Sequence, residues 1–154
     1  MCLTHLNFYV DKVFKFGNSI KVYKKLILFN WNNNYNDWLR SCGHSLYIWK
    51  PGFNHFIKNP LSKNYVSELY RQGIIDGKSG VVEQGLHVYL DKNEAVEGNR
   101  NLTTKIVEFT AYSKDFIASG RNNKKTKGAV FTRLHLSKKE YNRVINETKG
   151  KNNV

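Results

Sequence analysis

Apolar and polar residues alternate with a period of two at several points along the chain, the spacing that turns one face of a β-strand toward a core and the other away from it. In Gly85-Leu86-His87-Val88-Tyr89-Leu90, Leu86, Val88 and Leu90 take one face while His87 and Tyr89 take the other. Asp91 and Asn93 follow as caps for a short helix, with Glu94 near its positive end. Ala129 to Leu136 alternates again, which predicts Val130, Thr132, Leu134 and Leu136 on one side and Phe131, Arg133 and His135 on the other.

The remaining segments order themselves around these two strands. Val13-Phe14-Lys15-Phe16 and Ser19-Ile20-Lys21-Val22-Tyr23 flank Gly17-Asn18, a spacing that predicts an N-terminal hairpin with a II′ turn, its second arm running on to Phe29. The Asn-rich stretch from Asn32 to Asp37 predicts a loop. Leu46 to Trp49 reads as a strand halted at Lys50-Pro51-Gly52, with residues 53 to 61 irregular. Ser62 precedes a helical stripe of Val66, Leu69, Tyr70 and Ile74 that ends at Gly73, and Gly77 to Gly80 forms a turn. Lys105 to Tyr112 predicts a buried strand with Phe116-Ile117-Ala118 beside it. Ser137 caps a last helix, and Glu140 stands where it completes a capping box. The expected fold is a single α+β domain over residues 1–148, a mixed or antiparallel sheet with an N-terminal hairpin and short helices packed on it, followed by a basic flexible tail at 149–154.

Charge changes the picture more than composition does. The chain of 154 residues carries a net +13, and residues 100–154 hold thirteen Lys and Arg against four Asp and Glu. Such a field points to nucleic acid or an acidic host protein as partner. Its densest stretch runs from Gly120 to Gly128, where Arg121, Lys124, Lys125 and Lys127 form a candidate nucleic-acid-binding loop. Cys2 and Cys42 have neither metal-ligand spacing nor a disulfide framework, so a cytoplasmic protein is expected, in the host cell if viral. No segment resembles a signal peptide, and the longest apolar run, Leu26 to Phe29, is far below the ~20 residues of a membrane helix. Cys42, His44 and His55 lack a fourth ligand, so no metal is expected. Gly77 and Gly80 lack the spacing of a phosphate loop.

His87 and Tyr89 leave the aliphatic face of one strand and Arg133 and His135 that of another. On neighbouring strands they would form a cationic, hydrogen-bonding patch able to hold a phosphate or a base. The same residue types also suit the half-wet face of an ordinary sheet.

Three resemblances bear on function. His87-Val88-Tyr89 and His135-Leu136-Ser137 resemble the paired His-x-Thr/Ser motifs of two-histidine phosphoesterases, in which each imidazole acts on phosphate. Leu46 to Lys50, the helix ending at Gly73, Gly85-Leu86-His87-Val88 with Ala95 after it, and Lys105 to Tyr112 together resemble the core of ADP-ribosyltransferase-like folds. That resemblance implies NAD as cofactor, with Lys50 near the first cradle position, His87 at the second and Glu140 as the late acid. Gly85 through Ala118, with Ala129-Val130-Phe131, is similar to small domains of phage proteins, which implies an accessory factor acting on host machinery or antagonising host defence. The reading these features favour is a basic, non-enzymatic protein that binds nucleic acid or another polyanion without a cofactor. The alternatives are an NAD-using enzyme and an inhibitor that docks a host enzyme through Phe8, Tyr9, Phe14, Phe16, Trp31 and Trp38. Oligomeric state is left open.

Overall fold

The computed structural model describes residues 3–30, 37–41, 48–55, 65–80, 84–97, 104–122 and 126–151. Their alternating segments form ten strands: β1 (Thr4–Asn7), β2 (Ser19–Asn30), β3 (Asp37–Ser41), β4 (Ile48–Trp49), β5 (Gly52–His55), β6 (Leu86–Tyr89), β7 (Thr104–Tyr112), β8 (Phe116–Arg121), β9 (Lys127–Phe131) and β10 (Arg133–Leu136). Three short helices interrupt them, α1 (Tyr65–Arg71), α2 (Lys92–Glu97) and α3 (Lys138–Lys151). Ten strands against three helices make the fold sheet-dominated, and among the described residues every pairing is antiparallel, so the mixed option falls away. Eight strands follow the order β1-β8-β9-β6-β2-β7-β10-β5, with β3 branching from β2 and carrying β4.

The longest ladder joins β2 to β7, from Ser19↔Tyr112 to Ile27↔Thr104. β10 follows β9 after one residue, Thr132, whose amide donates to the Asp115 carbonyl at 2.8 Å. The pairings therefore trace a closed circuit: β2 to β7, β7 to β10, through Thr132 into β9, then β6 and back to β2. Val22, Leu26, Leu86, Val88, Val107, Phe109, Ala129, Phe131, Leu134 and Leu136 form one buried cluster shared by these strands. A second cluster contains Leu3, Leu69, Ile74, Ile75, Ile117, Ala118 and Val130 and packs α1 against β8 and β9. Lys24 shares its face of β2 with Val22 and Leu26; its Nζ donates to the His87 carbonyl at 2.7 Å and lies 5.8 Å from the Trp49 ring centroid.

Local signals were decisive where hydrogen bonds are local. Asp91 caps α2 by accepting the Asn93 amide at 2.8 Å, and Ser137 Oγ accepts the Glu140 amide at 3.1 Å to start α3. Gly73, at φ 70°, ends α1 in a Schellman motif, with Ile74 N–H on Leu69 O and Gly73 N–H on Tyr70 O. Leu69 and Ile74 are buried as expected, whereas Val66 and Tyr70 are exposed, so the stripe is narrower than its spacing suggested.

Four expectations are corrected. The N-terminal hairpin does not form: residues 13–18 carry no strand, and β2 pairs with β7, β6 and β3 instead. Phe14 explains why, since it packs edge-on against Phe116 and Phe131 and drives its segment into the core. Residues 52–55 are a strand where irregular chain was expected from 53. β8 lies beside β1 and β9, away from β7. The alternation from Ala129 to Leu136 slips by one residue at Thr132, so Phe131 is buried with Leu134 and Leu136 while Val130 faces the second cluster. α3 runs through Lys151, and residues 152–154 of the expected tail lie outside the described residues. The loop at 32–36, the start of the Leu46 strand and the Ser62 cap lie outside the described residues.

Candidate nucleic-acid interface

The site is built from β5 outward. Pro51 cannot donate to a ladder, and Gly52 at φ 98° turns the chain into β5. Asn54, only 3% exposed, fastens that turn: its Oδ1 accepts the Lys50 amide at 3.1 Å, and its Nδ2 donates to the Lys50 and Gly52 carbonyls at 2.9 and 3.1 Å. With Asn54 inward, the period of two sends Phe53 and His55 outward. β10 runs alongside in the register Arg133↔His55, Leu134↔Asn54 and His135↔Phe53. Leu134 and Leu136 are buried, so Arg133 and His135 share the outer face with Phe53 and His55. Register then extends the row: His135 opposes Thr110 of β7, and Thr110 opposes Lys21 of β2.

Phe53 is the centre of this face. It is 46% exposed, and the Arg133 Cζ lies over its ring, 4.0 Å from the centroid. His135 meets it in a T-shaped contact at 4.8 Å, with Tyr112 at 6.0 Å and His55 at 6.4 Å. Arg133 Nε lies 3.0 Å from Asp115 Oδ2, with both side chains largely buried. The turn Ser113–Asp115 after β7 therefore does two things, setting the bend at Thr132 through its backbone and holding the guanidinium through its carboxylate. Lys21 Nζ donates to Thr110 Oγ1 at 2.9 Å, 3.9 Å from Glu108. On the next row Tyr23 sits between Tyr89 and Glu108; burial, then the carboxylates of Glu108, Asp91 and Glu140, push its phenol up, so it stays protonated at neutral pH.

The four residues proposed as one patch fall into two pairs. Arg133 and His135 meet at Phe53, whereas His87 and Tyr89 lie on β6, whose ladder partners are β2 and β9. His87 opposes Val130, with Nδ1 3.2 Å from the Gly85 carbonyl, and the Tyr89 ring lies 5.3 Å from Lys25 Nζ. The basic loop is the tip of the β8–β9 hairpin, where Arg121 directly opposes Lys127 and both are exposed. Lys124 and Lys125 lie outside the described residues. Glu94, from α2, brings a carboxylate to the Lys127 amide at 3.3 Å, a contact between residues 33 apart in sequence.

Of the residues assigned to an NAD site, Lys50 follows β4, which pairs with β3, while His87 is on β6, which pairs with β2 and β9. Glu140 bonds Arg143 in the first turn of α3. Of the aromatic docking set, Phe16 and Tyr9 are exposed, Phe8 is half-buried and Phe14 is buried, while Trp31 and the Trp38 side chain lie outside the described residues. So do Cys42 and His44, and among the described residues no group of three His, Cys, Asp or Glu could hold a metal ion. No helix among them is long and apolar enough to cross a membrane.

Sequence reasoning missed Phe53, Asn54, Tyr112 and Lys21 as parts of a site. The signal was Phe53-Asn54-His55 after Pro51-Gly52, one alternation too short to stand out without its partner strand. No protein-family model matches the chain, no curated protein matches it, and no solved structure matches its fold.

Proposed function

We propose that this protein binds nucleic acid through the outer face of β5, β10 and β7 and catalyses no reaction. The observation that carries the reading is a half-exposed phenylalanine, Phe53, ringed by Arg133, His135, His55 and Tyr112 on a chain of net charge +13. A half-exposed ring backed by a guanidinium and bordered by hydrogen-bonding groups suits the aromatic face of a base, and the net charge of the chain suits its phosphates, the combination a nucleotide offers. The hairpin cations Arg121 and Lys127 add electrostatic reach. Together with the resemblance to phage domains, this describes an accessory factor working in the host cytoplasm.

Fluorescence anisotropy of labelled oligonucleotides, titrated at several salt concentrations, tests the reading. Binding should weaken linearly in log Kd against log salt; no binding to any oligonucleotide at low salt would overturn it. Exposed Phe16 and Tyr9 favour a second reading, an inhibitor docked on an acidic host protein. Nuclease treatment before a pull-down separates the two, because only a nucleic-acid bridge is lost.

A further inference from the structure

We infer that the ligand of the Phe53 face is single-stranded, held by stacking of an unpaired base on the Phe53 ring; this rests on the nucleic-acid reading above. The arrangement of the ring decides between strand types. A side chain that intercalates into a duplex needs both ring faces to contact base pairs, and Arg133 already covers one face of Phe53 at 4.0 Å. Asp115 fixes that guanidinium in place at 3.0 Å. Phe53 can therefore stack on one side only, which an unpaired base satisfies and the interior of a duplex does not.

The charges divide in the same sense. Arg133 is neutralised by Asp115, so it backs the ring and leaves the phosphates to other groups. Lys21 stands at the far end of the row Phe53, His135, Thr110, Lys21, with 59% of its side chain exposed; its pair with Glu108, 3.9 Å away, is open to solvent and weak, unlike that of Arg133 with Asp115, and leaves the ammonium able to meet a phosphate. Three inter-strand steps of about 4.8 Å put that end about 14 Å from Phe53. A nucleic-acid strand would cross the β-strands, its base on Phe53, its backbone passing His135 and reaching Lys21. Stacking tolerates any base, so weak sequence preference is expected.

The test compares three probes on the full chain: a labelled oligothymidine strand, a strand of equal length built of abasic residues, and a hairpin duplex of equal charge. Oligothymidine should bind roughly 5- to 150-fold more tightly than the abasic strand. Phe53→Ala should abolish that ratio and Phe53→Trp should keep it, while Phe16→Ala, at an exposed position in another segment, should leave it unchanged. Urea unfolding of each variant verifies the fold. Equal affinity for oligothymidine and the abasic strand, tighter binding of the duplex, or an unchanged ratio in folded Phe53→Ala would each overturn the inference and leave polyanion binding standing. Failure of all three probes to bind would overturn the nucleic-acid reading and this inference with it.

Discussion

The Arg133 guanidinium lies 4.0 Å over the Phe53 ring because Asp115, 18 residues earlier in the chain, holds its Nε at 3.0 Å. Asp115→Asn keeps the backbone carbonyl that bends the chain at Thr132 but removes the charge that pairs with Arg133. Because both side chains are largely buried, the variant should lose about 1–3 kcal/mol of stability in urea unfolding. It should also gain salt sensitivity, since an unmatched guanidinium contacting one phosphate adds about 0.7 to the single-strand slope. A loss of stability with no change in slope would leave Arg133 a purely structural support.

Asn54 fixes which way Phe53 points, through three hydrogen bonds that close the turn at Lys50 to Gly52. Asn54→Ala leaves the Lys50 amide and two carbonyls without that partner, at a cost of about 1–3 kcal/mol. Asn54→Asp keeps an acceptor for the amide but sets a carboxylate against the carbonyls of Lys50 and Gly52, so it should be the less stable of the two at neutral pH. Urea midpoints order the variants, and wild-type stability in either would show the turn is held by other contacts.

What could be read from the chain was what depends on near neighbours. The β6 alternation, the Asp91 and Ser137 caps and the Gly73 stop all act within one or two turns of backbone. The outward face of Arg133 and His135 is legible from alternation, but their neighbours Phe53 and His55 are not, because β5 is a four-residue strand defined by its pairing with β10. The slip at Thr132 was hidden for a similar reason: its cause is Asp115, 17 residues away. Gly17-Asn18 had suitable turn chemistry and still made no hairpin, since burial of Phe14 against Phe116 and Phe131 outweighs a two-residue turn.

Acid should draw down the stability that two carboxylates at the end of α1 contribute. Hydrogen bonds from Arg71 and then Gln72 hold the Glu68 carboxyl down at about 2, and the Ser79 hydroxyl, followed by the Lys78 amide, lowers that of Asp76. For a carboxylate depressed on folding, the unfolded state binds protons first as pH falls; its stabilisation is complete above the ordinary value of 4.5 and lost toward about 2. Stability should therefore decline across that window. Glu68→Gln should flatten the decline, measured by urea midpoints at intervals between pH 5 and pH 2.5, and an equally steep decline in the variant would place the acid-sensitive group elsewhere.

Arg121 and Lys127 oppose each other directly across the β8–β9 ladder, both exposed, and among the described residues neither takes part in an ion pair. Like charges in that position cost about 0.2–1 kcal/mol, so the pair works against the hairpin that carries it. Replacing both with alanine should raise stability by an amount in that range. If the pair contacts phosphate, the same variant should bind oligonucleotide more weakly and with a shallower salt dependence, by about 1.4 in log K against log salt on a single strand, at about 0.7 per contact. The two measurements are independent, one in urea without ligand and one by anisotropy across salt. Adding Lys124→Ala and Lys125→Ala should deepen the loss of slope toward about 2.8 if all four act on the backbone of one strand. A gain in stability with an unchanged slope would confine nucleic-acid contact to the Phe53 face and leave the hairpin charges as solvated surface.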